Sequence, residues 1–122
     1  MKATTEKTVI LGTVKGRHAM PVSDFIFNEA IEDPTDVGAI RRRVEKMLSE
    51  KISIGAGSGA GLNQESYEDV LVRRGNKRLI LYVTGLTIVT TEVIRFCAIN
   101  GVSLTLKHFN SATGEYFDEI IF

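Results

Sequence analysis

Residues 78–122 read RLILYVTGLTIVTTEVIRFCAINGVSLTLKHFNSATGEYFDEIIF, and their punctuation predicts strand, polar turn, helix, strand and hairpin in that order. An apolar run from Leu79 to Val83 stops at Thr84-Gly85-Leu86-Thr87. Val89, Val93, Phe96 and Cys97 then recur at spacings of three to four, the period of an amphipathic helix. Asn100-Gly101 ends that pattern, where glycine suits the left-handed conformation that closes a helix, and Thr87 is expected to cap the first amides. Val102 to Phe109 reads as the next strand. Val102, Leu104, Leu106 and His108 share one face, expected to be buried, while Ser103, Thr105, Lys107 and Phe109 share the other, expected to be mixed. Asn110-Ser111-Ala112-Thr113-Gly114 predicts a five-residue hairpin loop leading into Glu115 to Phe122.

Two strands joined by a crossover helix normally lie parallel with a right-handed crossover, which sets the Thr84 to Thr87 turn at the carboxyl ends of the strands. Open α/β sheets bind ligands there. The amides at the start of a helix favour anions such as phosphates. The same residues read equally as a tight turn with a cap. Phe109 and Tyr116 flank the hairpin loop and could sandwich a flat base with Asn110 and Thr113 on its edge; the alternative is cross-strand aromatic packing.

Working outward, Lys7 to Val14 is largely β-branched or aliphatic and predicts an edge or central strand. Gly16 and Pro21 break the next segment, and Ser23 to Phe27 reads as either a short strand or a turn of helix. Asp36 precedes Val37, Ile40, Val44, Met47 and Leu48, a stripe that predicts a helix from about Thr35 to Lys51. Successive helical residues point about 100° apart, so Arg41, Arg42 and Arg43 cannot all face one ligand. Ile54 to Gly61 alternates glycine with small residues but lacks the strand, the lysine and the apolar helix of a phosphate loop, so it reads as a connector or a flap. The expected whole is a single α+β domain over 1–122. A mixed sheet packs on two main helices, the carboxyl-terminal half runs strand, helix, strand, hairpin, and a glycine-rich insertion spans about 53–66.

The 122 residues carry 43% hydrophobic side chains, enough for a core without disulfides. Cys97, the only cysteine, falls on the apolar helix face and reads as a core residue. Fifteen basic and fifteen acidic residues leave a formal charge of zero, which argues against general DNA or RNA binding. The longest apolar stretch falls short of the roughly 20 residues of a membrane span, so no membrane partner is expected. His18 and His108 are the only histidines and make no metal set, and no nucleophilic triad can be read from spacing. Basic residues cluster at 41–46 and 73–78, patterns that lie on solvated faces or meet phosphate.

Gly16-Arg17-His18-Ala19-Met20-Pro21-Val22-Ser23-Asp24, Leu81-Tyr82-Val83-Thr84-Gly85-Leu86-Thr87 and Leu106-Lys107-His108-Phe109-Asn110 through Thr113-Gly114-Glu115-Tyr116 resemble the first Thoeris anti-defence family of phage proteins. The resemblance covers most of the chain except the glycine-rich middle, where the 54–76 insertion departs from the family's compact pattern. It implies a sponge in the cytoplasm of an infected bacterial host that captures cyclic ADP-ribose isomers made by TIR-domain enzymes and does not cleave them. Some members also hold cyclic di- or trinucleotides at a separate site, and the family is homo-oligomeric, dimer-based and hexameric. Neither a cofactor nor a metal is implied.

Chemistry on these motifs makes Arg17, His18, Met20, Thr84, Gly85 and Thr87 candidate ligand contacts, together with His108, Phe109, Asn110, Thr113 and Tyr116. Phe96 and Asn100 join them from the intervening helix. Arg41, Arg43, Arg73 and Arg78 are candidate phosphate contacts at a second site. The competing expectation is an enzyme that hydrolyses a cyclic nucleotide signal with His18 or His108 as acid and base.

Overall fold

The computed structural model describes residues 7–16, 20–52 and 77–122. They build a five-stranded sheet with two helices, an α+β architecture. The strands are β1 (Lys7–Val14), β2 (Phe25–Phe27), β3 (Lys77–Tyr82), β4 (Ser103–Asn110) and β5 (Glu115–Ile120), in the order β2-β1-β3-β4-β5. All neighbours are parallel except β4 and β5. The helices are α1 (Val37–Ile52) and α2 (Thr87–Asn100).

The register explains the core. Val9, Leu79 and Leu104 stand in one row across β1, β3 and β4, and Leu11, Leu81 and Leu106 in the next row of the same face. Both rows meet Ile40, Val44, Leu48 and Ile52 of α1 and Val89, Val93, Phe96 and Cys97 of α2. From β2 to β3 and from β3 to β4 the chain steps in one direction across the sheet, and right-handed crossovers in one direction set both helices on one face. The step from β1 to β2 runs the other way, and Met20 accordingly lies on the opposite face beside Gly12.

β1 is central, between β2 and β3, and the ambiguous segment before α1 is the short strand Phe25–Phe27. Asp36 caps α1, its Oδ1 accepting the Ala39 N–H at 3.0 Å. Val37, placed on the apolar stripe by its spacing, is exposed because the buried residues follow a strict step of four from Ile40. Gly101 closes α2 with φ 70° and donates its N–H to Cys97 O.

Two expectations need correction. Thr87 is not the cap of α2: it lies inside the first turn, and the capping position falls on Leu86, which has no side-chain acceptor to offer. The second face of β4 is mixed, as expected: Ser103 and Thr105 are buried, Lys107 is half-buried and Phe109 is exposed. In the buried part of that face, Arg78 Nη1 donates to Thr105 Oγ1 at 3.0 Å. The hairpin loop has four residues, not five, since Asn110 still pairs with Glu115 in the ladder. Asn110 Oδ1 accepts the Ala112 N–H at 2.9 Å, and Gly114 supplies the left-handed residue at φ 76°.

Candidate functional site

The parallel strands bring the β3–α2 turn alongside the end of β4, because Val83 N–H donates to Lys107 O at 3.0 Å. Val83, Thr84, Gly85, His108 and Phe109 there line a cleft of about 250 Å³. His108 and Phe109 are consecutive in β4 and point to opposite faces, so the cleft wraps over the carboxyl-end edge of the sheet.

Thr84 is held from β1. Its N–H donates to Thr13 Oγ1 at 3.2 Å, and the Thr13 hydroxyl donates to Thr84 Oγ1 at 3.0 Å. Thr84 Oγ1 therefore accepts, and its own hydroxyl hydrogen is left to give. Gly85 is exposed, and a Cβ built on it meets nothing within 4 Å. It keeps the mouth of the cleft open without a conformational need for glycine. With Leu86 in the capping position, no side chain closes the first turn of α2, whose amides carry partial positive charge.

The other wall is aromatic. Phe109 and Tyr116 sit directly opposite each other on β4 and β5 with ring centroids 5.2 Å apart and planes tilted by 59°. A base between two rings needs about twice the 3.4–4 Å of van der Waals contact, so the rings pack on each other, and the sandwich does not form. Tyr82 completes the group with its ring edge-on to Tyr116 at 4.8 Å. Burial, and then the neighbouring Tyr82, push the Tyr116 hydroxyl above its ordinary value. On the helix-side face, the His108 ring stacks on Phe117 at 5.4 Å and its Nε2 contacts Glu119 Oε1 at 2.8 Å.

The candidate ligand contacts divide among several places. Thr84, Gly85, His108 and Phe109 converge in the cleft, with Thr87 two residues beyond Gly85. Asn110 and Thr113 are committed to the hairpin: Asn110 holds Ala112, and Thr113 Oγ1 accepts the Glu115 N–H at 3.3 Å. Met20 lines a different depression with Ile10, Pro21, Val22 and Ser23. Phe96 and Asn100 are not brought to the cleft. Phe96 is core, and the Asn100 amide donates to Phe96 O at the far end of α2, some 20 Å from Thr87 at about 1.5 Å per residue.

The arginines expected at a second site do not converge either. Arg41 makes a two-pronged pair with Glu92, Nε–Oε1 2.7 Å and Nη2–Oε2 3.0 Å, which joins α1 to α2. Arg43 donates to Ile26 O at 2.8 Å, lies over the Phe27 ring, and faces a depression shared with Asn28, Glu29 and Ala30. Arg78 is near the start of β3, at the edge of the sheet opposite Thr84. Arg17, His18 and Arg73, like the glycine-rich segment, lie outside the described residues.

No family model, curated protein or solved structure matches this chain. What the site can do therefore rests on its own chemistry: a hydroxyl donor, an imidazole and an exposed phenyl ring around one cleft, with the start of α2 following Gly85 in the chain. Among the described residues no group of three or more His, Cys, Asp or Glu could hold a metal ion, and no helix is long and apolar enough to cross a membrane. Thr13, Tyr82, Val83 and Glu119 are the parts that sequence reasoning missed. Tyr82 had a signal, since it directly precedes the polar turn, but its neighbours depend on which strands pair.

Proposed function

We propose that this chain is a sponge that captures a cyclic ADP-ribose isomer at the Thr84–His108 cleft and holds it without breaking its bonds, in the cytoplasm of an infected bacterial cell. The observation that carries the reading is the convergence, in one cleft, of the Thr84 hydroxyl, the Gly85 turn that leads into the uncapped start of α2, and the exposed Phe109 ring. The first two suit a pyrophosphate or ribose oxygen, and the ring suits the flat face of adenine. The Thoeris anti-defence resemblance, carried by the Thr84-Gly85-Leu86-Thr87 and His108-Phe109-Asn110 motifs, supports the same assignment.

Size adds a condition. Sites that enclose a whole small ligand measure roughly 300–1,000 Å³, and this cleft measures about 250 Å³. It holds one moiety of a dinucleotide-sized ring, so full enclosure calls on further residues of this chain or a second copy of it. Calorimetry with cyclic ADP-ribose isomers, followed by heat release and chromatography, tests the reading. Tight binding with intact ligand recovered is the expected result. Failure to bind every isomer, and every cyclic di- and trinucleotide offered as a second-site ligand, removes it.

The contact of His108 with Glu119 favours one competing reading, in which an imidazole oriented by a carboxylate acts as a general base that hydrolyses the cyclic signal. A linear product accumulating on long incubation, and lost in His108→Gln, would establish that alternative.

A further inference from the structure

β2 ends at Phe27, and the chain from Asn28 to Asp36 leads from there into α1. A depression of about 490 Å³ opens at this strand end, lined by Phe27, Asn28, Glu29, Ala30 and Arg43. Open α/β sheets hold ligands at the carboxyl ends of their strands. β1 separates β2 from β3, so this hollow is distinct from the Thr84 cleft.

Arg43 is fixed before any ligand arrives. Its Nε donates to Ile26 O at 2.8 Å, and its guanidinium lies over the Phe27 ring, 5.8 Å from the centroid. The hydrogens on its two Nη atoms remain to give, a planar fork that matches a carboxylate. Glu29 is exposed on the same hollow, and among the described residues it makes no ion pair with Arg43 or any other cation. Opposite charges that share a hollow without pairing suit a ligand that carries both. A phosphate would set negative oxygens against Glu29, whereas an α-ammonium meets it.

A second depression, of about 260 Å³, adjoins the first and shares Phe27 and Ala30 with it. Ile31, Ala39 and Ile40 give it apolar surface, and Asp33 and Asp36 give it negative charge. Asp33 Oδ1 accepts the Thr35 N–H at 2.9 Å and Asp36 Oδ1 the Ala39 N–H at 3.0 Å, so the other oxygen of each carboxylate remains. Apolar surface that ends at carboxylates matches the stem and the charged tip of lysine or arginine. We infer that this chain binds a free basic α-amino acid, with its carboxylate on Arg43, its ammonium at Glu29 and its side chain running past Phe27 toward Asp33 and Asp36. The inference is independent of the cyclic nucleotide proposed for the Thr84 cleft.

Calorimetry on the full chain with L-arginine and L-lysine tests this. At least one should bind with a dissociation constant below about 1 mM. The decarboxylated amine and the Nα-acetyl derivative of that amino acid, and L-norleucine, which lacks the charged tip, should each bind about tenfold more weakly or not at all. Glu29 has no partner to lose, so Glu29→Gln should match the parent in urea denaturation and weaken the amino acid about tenfold. Gly85→Leu, which fills the mouth of the other cleft, should leave this affinity unchanged. Absence of binding by both amino acids overturns the inference, as does undiminished affinity in Glu29→Gln or loss of affinity in Gly85→Leu. An amine or an acetylated derivative that binds as tightly as the amino acid also overturns it, the acetylated one by pointing to a basic segment of another polypeptide.

Discussion

Thr13 in β1 and Thr84 after β3 lie hydroxyl to hydroxyl at 3.0 Å, although 71 residues separate them in the chain. Thr13 is fully buried and also accepts the Thr84 N–H, so two bonds tie the floor of the cleft to the neighbouring strand. The turn that leads into α2 is thereby held at both its backbone and its side chain. Thr13→Val keeps the shape but leaves a buried N–H and a buried hydroxyl without their partner. Stability should fall by about 1–3 kcal/mol in urea denaturation, and ligand affinity should fall with it as the turn loosens.

Gly85 gives the opposite test. A side chain there meets open space, so Gly85→Leu should melt within a degree or two of the parent while projecting into the mouth of the cleft. Loss of nucleotide binding in calorimetry with an unchanged circular dichroism spectrum is the expected outcome. Undiminished binding would move the ligand elsewhere.

Gly12 stands under the Phe25 ring on the face away from the helices, where an added Cβ would come within 2.5 Å of Phe25 Cε2 and 3.0 Å of Met20 Sδ. Phe25 is itself buried and cannot swing freely. Gly12→Ala should therefore cost about 1–3 kcal/mol by overpacking, read as a lower denaturation midpoint. Gly12→Ala with Phe25→Leu should recover part of the loss.

Glu92 supplies a pH signature. The bond from Arg41 holds its carboxyl below the ordinary glutamate value, against the opposing effect of burial. A carboxyl depressed in the folded state stabilises the fold fully above its unfolded value, and that contribution disappears as the pH falls through the folded one. Urea midpoints taken from about pH 7 to about pH 3 should decline more steeply for the parent than for Glu92→Gln, which lacks this titration. Parallel curves would mean that the pair contributes nothing to acid sensitivity.

Much of the fold was legible because its signals are local. The stripe at Ile40, Val44 and Leu48, the run at Leu79 to Val83, the Asn100-Gly101 stop and the alternation through Leu104 and Leu106 each follow from periodicities set by backbone geometry within a few residues. The cap of α2 was misplaced by one residue. Thr87 carries the hydroxyl that a cap needs, and only the backbone of the folded turn shows that the capping position falls on Leu86.

The site was legible in half. That a polar turn between an apolar strand and an apolar helix faces the carboxyl edge of the sheet follows from handedness alone, so Thr84 and Gly85 could be named from sequence. The meeting of that turn with His108 and Phe109 depends on β3 lying beside β4, and the role of Thr13 depends on β1 lying on the other side of β3. Arg41 and Phe96 look equally suited to a ligand in sequence, where a charge or a ring has no address. Packing assigned one to Glu92 and the other to the core. Amino-acid order thus settled which segments extend, coil and turn, because those choices are made over a few bonds. Which side chains share a cleft was decided only by the pairing of strands far apart in the chain, where long-range burial selects one arrangement among many that local preference leaves equal.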